Sequence, residues 1–288
     1  MPAAIDVTVV GSCNLDLVAG TAVLPRPGET VLAHRYDEFP GGKGLNQAVA
    51  AARSGARVAM VGAVGDDDAG IRLRQVAADE GIDTALLAAV DRPSGRALIT
   101  VDDGAENSIV VVPGANATAT ATTIPDCSVV VAQLEVPIGT VIDAFAAARR
   151  AGARTVLNPA PAAPLPDDLV GLTDIIVPNE HEVDLLGGVE ALVERGIHAV
   201  VVTRGAAGVS ITEGTNTWTE PAVSVNPVDT TGAGDAFCGA LVARLADGAS
   251  LAEAVRWAAA AGALATTMQG AVPSLPSAAG IEALLADR

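Results

Sequence analysis

The sequence offers little to a disulfide framework or a metal cluster. Three cysteines, Cys13, Cys127 and Cys238, and three histidines, His34, His181 and His198, are scattered over 288 residues. No C-x-x-C pair and no histidine cluster occurs, which argues against a stapled fold or a zinc site and leaves the thiols as free, buried groups. Aromatics make up 2 % of the chain, and Trp218 and Trp257 read as packing residues rather than base-stacking platforms. Half of the residues are hydrophobic, yet no run of about 18 apolar residues free of charges and helix breakers is present, so no membrane span is supported. The start, Met1-Pro2-Ala3-Ala4-Ile5-Asp6, lacks the basic and apolar stretches of a signal peptide, and a cytoplasmic location is expected. The Asn116-Ala117-Thr118 sequon therefore carries no weight.

Positive charge is also scarce: 17 basic residues face 34 acidic ones, for a net charge of −17. Such a field repels nucleic acid and anionic membrane surfaces, and neither is expected as a partner. It repels a nucleotide too, so any nucleotide site must be made attractive locally by helix N-termini, backbone amides, a bound cation and a few placed basic side chains.

What is present is an alternation. Buried-strand runs rich in β-branched residues occur at Val7 to Gly11, Val58 to Val64, Val129 to Leu134, Thr155 to Leu157, Ile175 to Val177 and Ala199 to Thr203. Alanine-rich helical stretches separate them, such as Leu45 to Ser54 closed by Gly55 and Gly70 to Glu80 closed by Gly81. Strands alternating with helices predict an α/β fold with a mainly parallel central sheet covered on both faces, and the length suits a single domain over 1–288. Two segments break the rhythm. Residues 15–36 hold short β-like pieces, and 95–112 hold two strand-like runs around Asp102-Asp103-Gly104, a hairpin signal. They read either as a small β-sheet lid over the carboxyl ends of the main strands or as an ordinary edge hairpin, and spacing alone slightly favours the hairpin.

The most informative segment is Asp229-Thr230-Thr231-Gly232-Ala233-Gly234-Asp235-Ala236-Phe237, between a β-like stretch, Ala222 to Val228, and an apolar helical run from Phe237 to Leu245. Small residues at 232–234 let amides crowd at a helix start, a ready site for an anion. Asp235 falls in the first turn, where a plain dipole-favouring role competes with catalysis. Phe237 stands where a dinucleotide fingerprint wants glycine or alanine. Gly42-Lys43-Gly44 lacks the earlier glycine and following Ser/Thr of a P-loop. A second constellation, Gly41-Gly42-Lys43-Gly44-Leu45-Asn46-Gln47-Ala48, offers close backbone approach and side-chain donors suited to hydroxyl-rich molecules. With Asn14 and Asp16 beyond the first strand it makes a convergent polar set, and a carboxylate such as Asp16 suits a vicinal diol.

These two motifs make the chain resemble the ribokinase-like (PfkB-type) sugar kinases, essentially end to end. D-T-x-G-A-G-D at 229–235 marks the superfamily, and GGKG-x-NQA at 41–48 resembles its ribokinase branch. The resemblance implies ATP-dependent phosphorylation of D-ribose at the 5-hydroxyl. Asn14, Asp16, Gly42, Lys43, Asn46 and Glu135 would contact the sugar. Asp235 would be the base, and the amides of Gly232, Ala233 and Gly234 would hold the oxyanions. Asn179 and Glu182 would support magnesium and phosphate, while Thr203, Gly205 and Gly208, with Gly234, would line the nucleotide site. A potassium ion would be held by oxygens of Asp229, Thr231, Ala265, Met268, Gly270 and Ser274, and a homodimer would form through the lid. The segment Leu186 to Gly196 is shorter than such kinases lead one to expect, implying a trimmed helix, and Met268 stands where relatives often carry a basic residue. A kinase for another pentose, deoxyribose or a nucleoside is the nearest alternative. A non-catalytic sugar-binding regulator is the more distant one, and an intact Asp235 with its anion site argues against it.

Overall fold

The computed structural model describes residues 4–104 and 106–286. Met1, Pro2 and Ala3 of the N-terminal stretch and Ala105 of the hairpin segment lie outside them. The first strands are β1 (Val7–Val10), β2 (Asn14–Thr21), β3 (Ala33–Gly41), β4 (Val58–Gly65), β5 (Asp83–Val90), β6 (Gly95–Asp102) and β7 (Asn107–Val112). Then come β8 (Val129–Ala132), β9 (Arg154–Leu157), β10 (Ile175–Ile176), β11 (Ala199–Thr203), β12 (Val209–Glu213) and β13 (Asn216–Glu220). Nine of them form one sheet in the order β13-β12-β11-β10-β9-β8-β1-β4-β5, and β3-β2-β6-β7 form a second. Within the large sheet only β12 and β13 run antiparallel to their neighbours.

Period-two alternation divides the core. Val7, Val9, Val129 and Val131 join one apolar cluster, whereas Val10, Val130 and Ala132 join another on the opposite face. Both faces of β1 and β8 are therefore dry, as a parallel sheet requires. The first face is covered by α1 (Lys43–Arg53), α2 (Asp68–Asp79), α7 (Ala233–Ala246) and α8 (Leu251–Ala265). The second is covered by α3 (Ile138–Ala151), α4 (Asp167–Gly171), α5 (Glu180–Leu185) and α6 (Gly188–Glu194). A short α9 (Ala271–Ser274) and α10 (Ala278–Ala286) end the described chain. With so few aromatics the core is mostly aliphatic, and alanine lets helices approach closely. Gly239 of α7 shows how closely: a Cβ there would lie 2.5 Å from the Gln47 carbonyl oxygen of α1.

Local chemistry sets the helix ends. Asp67 caps α2 by accepting from the Gly70 amide at 2.8 Å, and Ser250 with Glu253 forms a capping box on α8. Gly152 closes α3 in the left-handed conformation at φ 78°.

Several expectations shift. The segment Ala222 to Val228 is not a strand; Pro221 precedes it and Pro227 stands within it, and Val228 donates its amide to the Thr266 carbonyl at 2.7 Å. Asn14 and Asp16 belong to β2 of the small sheet rather than to the end of β1. Pairing in that sheet extends across Asn14–Gly41 and Gly95–Val112, a wider span than 15–36. The short 186–196 segment still forms α6, whose Leu192 is fully buried. Cys13 and Cys238 are buried free thiols as expected, burial pushing Cys13 up to about 12, but Cys127 is only partly buried. Among the described residues no helix is long and apolar enough to cross a membrane.

Candidate active site

Two helix starts meet beyond the carboxyl end of β1. Gly44 makes the first approach possible, because a Cβ there would sit 2.4 Å from the Ser12 amide nitrogen. The Leu45 amide instead donates to the Ser12 carbonyl at 2.9 Å, docking α1 directly on the strand's exit. Gly42 has φ 87°, a conformation that favours glycine, and its Cα faces the Asn14 backbone. Lys43 is thereby fixed as the first residue of α1, with Asn46 and Gln47 a turn later on the buried side. The close packing at Gly239 brings α7 against α1, and Asp235, in the first turn of α7, lands on those two amides.

Asp235 is buried and accepts one hydrogen bond on each oxygen: Asn46 Nδ2 donates to Oδ2 at 2.9 Å and Gln47 Nε2 to Oδ1 at 2.9 Å. Asn46 Oδ1 is buried with no partner among the described residues, an acceptor suited to a ligand hydroxyl. Asp16 approaches from β2 with its carboxylate against the backbone of Gly41. Burial, together with the charges of Glu135 and Asp235, raises its pKa to about 7, so the three acids face one space. Glu135 accepts from the Lys43 amide at 3.1 Å and from the Ser12 hydroxyl. Lys43 is the only lysine in the sequence. The charge of Asp235, and those of Glu135 and Glu182 after it, hold its ammonium above the usual lysine range against the opposing effect of burial. The one lysine thus stands where acidic groups converge.

Asn14 is set by a residue that the sequence did not reveal. Asn116 accepts from the Cys13 amide at 2.9 Å and donates from Nδ2 to the Cys13 carbonyl at 3.1 Å and to Asn14 Oδ1 at 2.8 Å. It is almost fully buried, so the residue noticed only within a glycosylation pattern is a clamp on the start of β2. With its oxygen occupied, Asn14 presents its amide nitrogen as the free end.

The anion half is built around α7. Gly232 has φ 77° and packs on Ala271, and Ala233 donates its amide to the Thr230 carbonyl at 3.2 Å. The amides of Gly232 and Gly234 donate to no acceptor among the described residues. A Cβ on Gly234 would meet no atom within 4 Å, so the protein's own packing does not demand glycine there; the space stays open in front of the helix start. Asn179 and Glu182 are brought together as a capping box on α5: the Glu182 amide donates to Asn179 Oδ1 at 2.8 Å and the Asn179 amide to Glu182 Oε2 at 2.9 Å. Thr203 ends β11, bridged to Asn179, and Gly205 and Gly208 flank one 3-10 turn with φ 51° and 87°.

Of the residues expected to hold a cation, Asp229, Thr231 and Gly270 meet. Asp229 accepts the amides of Thr231 and Gly270, each at 2.9 Å. These bonds outweigh the burial that would raise it and keep its carboxyl below the usual range. Ala265 ends α8, where carbonyls lack intrahelical donors. The following stretch is not wholly loop, because 271–274 form α9, in which the Ser274 hydroxyl donates to the Ala271 carbonyl at 2.8 Å. Met268 is exposed. Arg53 anchors the region to α1, donating to the carbonyls of Val272 and Leu275 at 3.0 and 2.7 Å.

Buried polar side chains gathered beyond the carboxyl ends of parallel strands, with an acid at an open helix N-terminus, suit a small-molecule phosphotransferase. The chain belongs to the pfkB family of carbohydrate kinases, whose model matches residues 4–278. The chain is similar to the ribokinase of Haemophilus influenzae, 39 % identical over 290 residues that span 94 % of this chain and 95 % of that one. Among solved structures, Thermotoga maritima ribokinase superposes with a TM-score of 0.89 at 32 % identity, covering 98 % of this chain and 99 % of that one. Arabidopsis thaliana ribokinase complexed with ribose and ATP gives 0.88 at 30 % identity with the same coverage.

Proposed function

We propose that the protein transfers the γ-phosphoryl group of ATP to the 5-hydroxyl of D-ribose. The observation that carries this reading is Asp235, buried at the start of α7 and held by Asn46 and Gln47 beside the open amides of Gly232 and Gly234. The sugar lies between Asn14, Asp16, Gly42, Lys43, Asn46 and Glu135. Asp16 accepts hydroxyls, while the Asn14 amide and Lys43 donate. Asp235 orients the 5-hydroxyl and takes its proton late, since a loose phosphoryl transition state needs alignment more than a strong base. The first-turn amides of α7 stabilise the charge on the equatorial oxygens. Thr203, Gly205 and Gly208 line the nucleotide loop. The positive φ values of the two glycines let the backbone itself approach the ligand.

Magnesium, when bound with ATP, neutralises the phosphate charge, and Glu182 with Asn179 supports it. A potassium ion, when bound, adds positive charge beside the anion loop. Asp229, Thr231, Ala265, Met268, Gly270 and Ser274 would hold it, mostly through backbone carbonyls, so a methionine at 268 would be harmless. The docking of 229–232 onto 266–271 fits this set. β2, β3, β6 and β7 act as the lid, which closes to exclude water as a competing acceptor.

The test is a sugar panel with ATP, read by ADP release, run in potassium, sodium or a bulky organic cation at equal ionic strength. Ribose should be turned over fastest, and potassium should raise the rate. Faster turnover of 2-deoxyribose or a nucleoside would reassign the acceptor. Equal rates in all three cations would remove the cation site.

The lid also supplies a surface for a second copy of the chain. β7 is exposed along its whole length, and its Val110 pairs with exposed Leu98 on the face opposite Asp16. An apolar row of this kind on a four-stranded sheet suits a self-complementary contact. Sedimentation should show a dimer, and Val110→Lys should shift it to monomer; a monomeric wild type would exclude the contact.

A further inference from the structure

A chain of buried amides runs behind Asp235, and its polarity is set at both ends by groups that can only accept. Asn158 Nδ2 donates to the Val177 carbonyl at 2.9 Å, which turns Asn158 Oδ1 toward Gln47. Gln47 Nε2 then spends its two hydrogens on Asn158 Oδ1, at 3.0 Å, and on Asp235 Oδ1, at 2.9 Å. Its Oε1 accepts from Gln133 Nε2 at 2.6 Å. A backbone carbonyl and a carboxylate have no proton to give, so each fixes the amide beside it: Asn158 turns its nitrogen to Val177 and Gln47 turns its nitrogen to Asp235, with the Asn158 oxygen left to accept from Gln47. The leftover acceptor is Gln133 Oε1, buried without a partner among the described residues and lying where a Cβ on residue 11 would be. Gly11 leaves room for that stranded oxygen. Such an orphan is unfavourable, and it persists because turning Gln133 over would set its carbonyl against that of Gln47.

We infer that Gln133 and Gln47 are positioning residues for phosphoryl transfer: Gln133 locks the amide of Gln47, and Gln47 holds the Asp235 carboxylate in the rotamer that meets the acceptor hydroxyl. This rests on the reading of Asp235 as the base. All four side chains are buried, and their partners lie 86, 111 and 188 residues apart in sequence, so the relay ties the end of β8, α1, the exit of β9 and α7 to one geometry. Gln47 touches only the carboxylate oxygen that Asn46 does not, so losing it frees one oxygen to turn. Misplacing a reacting group by about 1 Å costs on the order of 10²-fold in rate.

The test compares Gln47→Leu, Gln133→Leu and the double variant with wild type, using whichever sugar the wild type phosphorylates fastest. Gln47→Leu should lower kcat by about tenfold and Gln133→Leu by a few fold, with the sugar KM moving less than about twofold. The double variant should be no slower than Gln47→Leu alone, because Gln133 acts only through Gln47. Multiplying losses, or a KM rising in step with the fall in kcat, would overturn the relay. Gln133→Glu adds a pH readout: it donates to Gln47 only while protonated, so its kcat relative to wild type should fall as pH rises, whereas the Gln133→Leu deficit stays constant. A wild type that phosphorylates no sugar defeats the reading of the reaction and the catalytic part of this inference with it, while the hold of Gln133 and Gln47 on Asp235 is decided separately by melting. In unligated protein the melting loss from Gln133→Leu should shrink in an Asp235→Asn background, and an unchanged loss would sink the coupling.

Discussion

Replacing Asp235 by asparagine is expected to lower kcat by about 10²-fold or more, the usual range for losing general-base help, while ribose binding weakens only modestly. The side chain keeps its size and one acceptor. Asn46 or Gln47 can still donate to it, so the pocket walls stay in place. What disappears is the acceptor for the proton of the attacking hydroxyl and the negative charge that aligns it. Stopped-flow or steady-state turnover, paired with ribose titration calorimetry, separates the two effects. A variant that turns over at near wild-type speed would remove Asp235 from the chemistry and leave it as a helix-start charge.

A second large effect is expected at Asp16, where function and stability pull in opposite directions. Removing it as Asp16→Ala strands two buried hydroxyls of the sugar. At about 1 to 3 kcal/mol for each unsatisfied group, affinity should fall by roughly 10²-fold or more, with ATP affinity far less affected. Equal losses for both ligands would mean that the sugar sits elsewhere. The raised pKa of Asp16, about 7 against an ordinary 3.8, adds a pH signature. The folded, unligated protein binds a proton here that the unfolded chain releases, so Asp16 favours folding below its ordinary value and loses that contribution as pH rises through about 7. Sugar binding needs the ionised form. Between pH 8 and pH 6 the ionised fraction drops about tenfold, and the apparent ribose Kd should rise by about that factor. The unligated melting temperature should move the other way, highest on the acid side of this window. In Asp16→Ala both dependences on this group should vanish; a ribose Kd flat across that range in the wild type would refute the assignment.

The sequence revealed most where a physical requirement is local. β-branched runs made β1, β4 and β8 recognisable because a strand buried on both faces needs little else. Glycines and small residues mark both helix starts of the site in the sequence. β5 was missed because Asp83-Thr84-Ala85-Leu86-Leu87-Ala88-Ala89-Val90 is rich in alanine and leucine, which suit a helix equally well; its parallel pairing with β4 decides the matter. The β-like stretch before Asp229 erred the other way, since Pro221 before it and Pro227 within it disfavour a strand ladder. Within the site, Asn46 was legible from its motif while Gln47, its neighbour, was not. Its meaning depends on Asn158, Asp235 and Gln133, distant in sequence and meeting only in the fold. Asn116 was hidden for the same reason.

The single lysine gives the molecule a built-in reporter. A protease specific for lysine has one target bond in this sequence, Lys43–Gly44, and that bond lies in the first turn of α1, packed on Ser12 and surrounded by acids. Cleavage there requires the start of α1 to lift off the strand exit and unwind, the same local opening that would dismantle the sugar pocket. The rate at which this one bond is cut therefore measures how often the start of α1 opens, with no background from the rest of the surface.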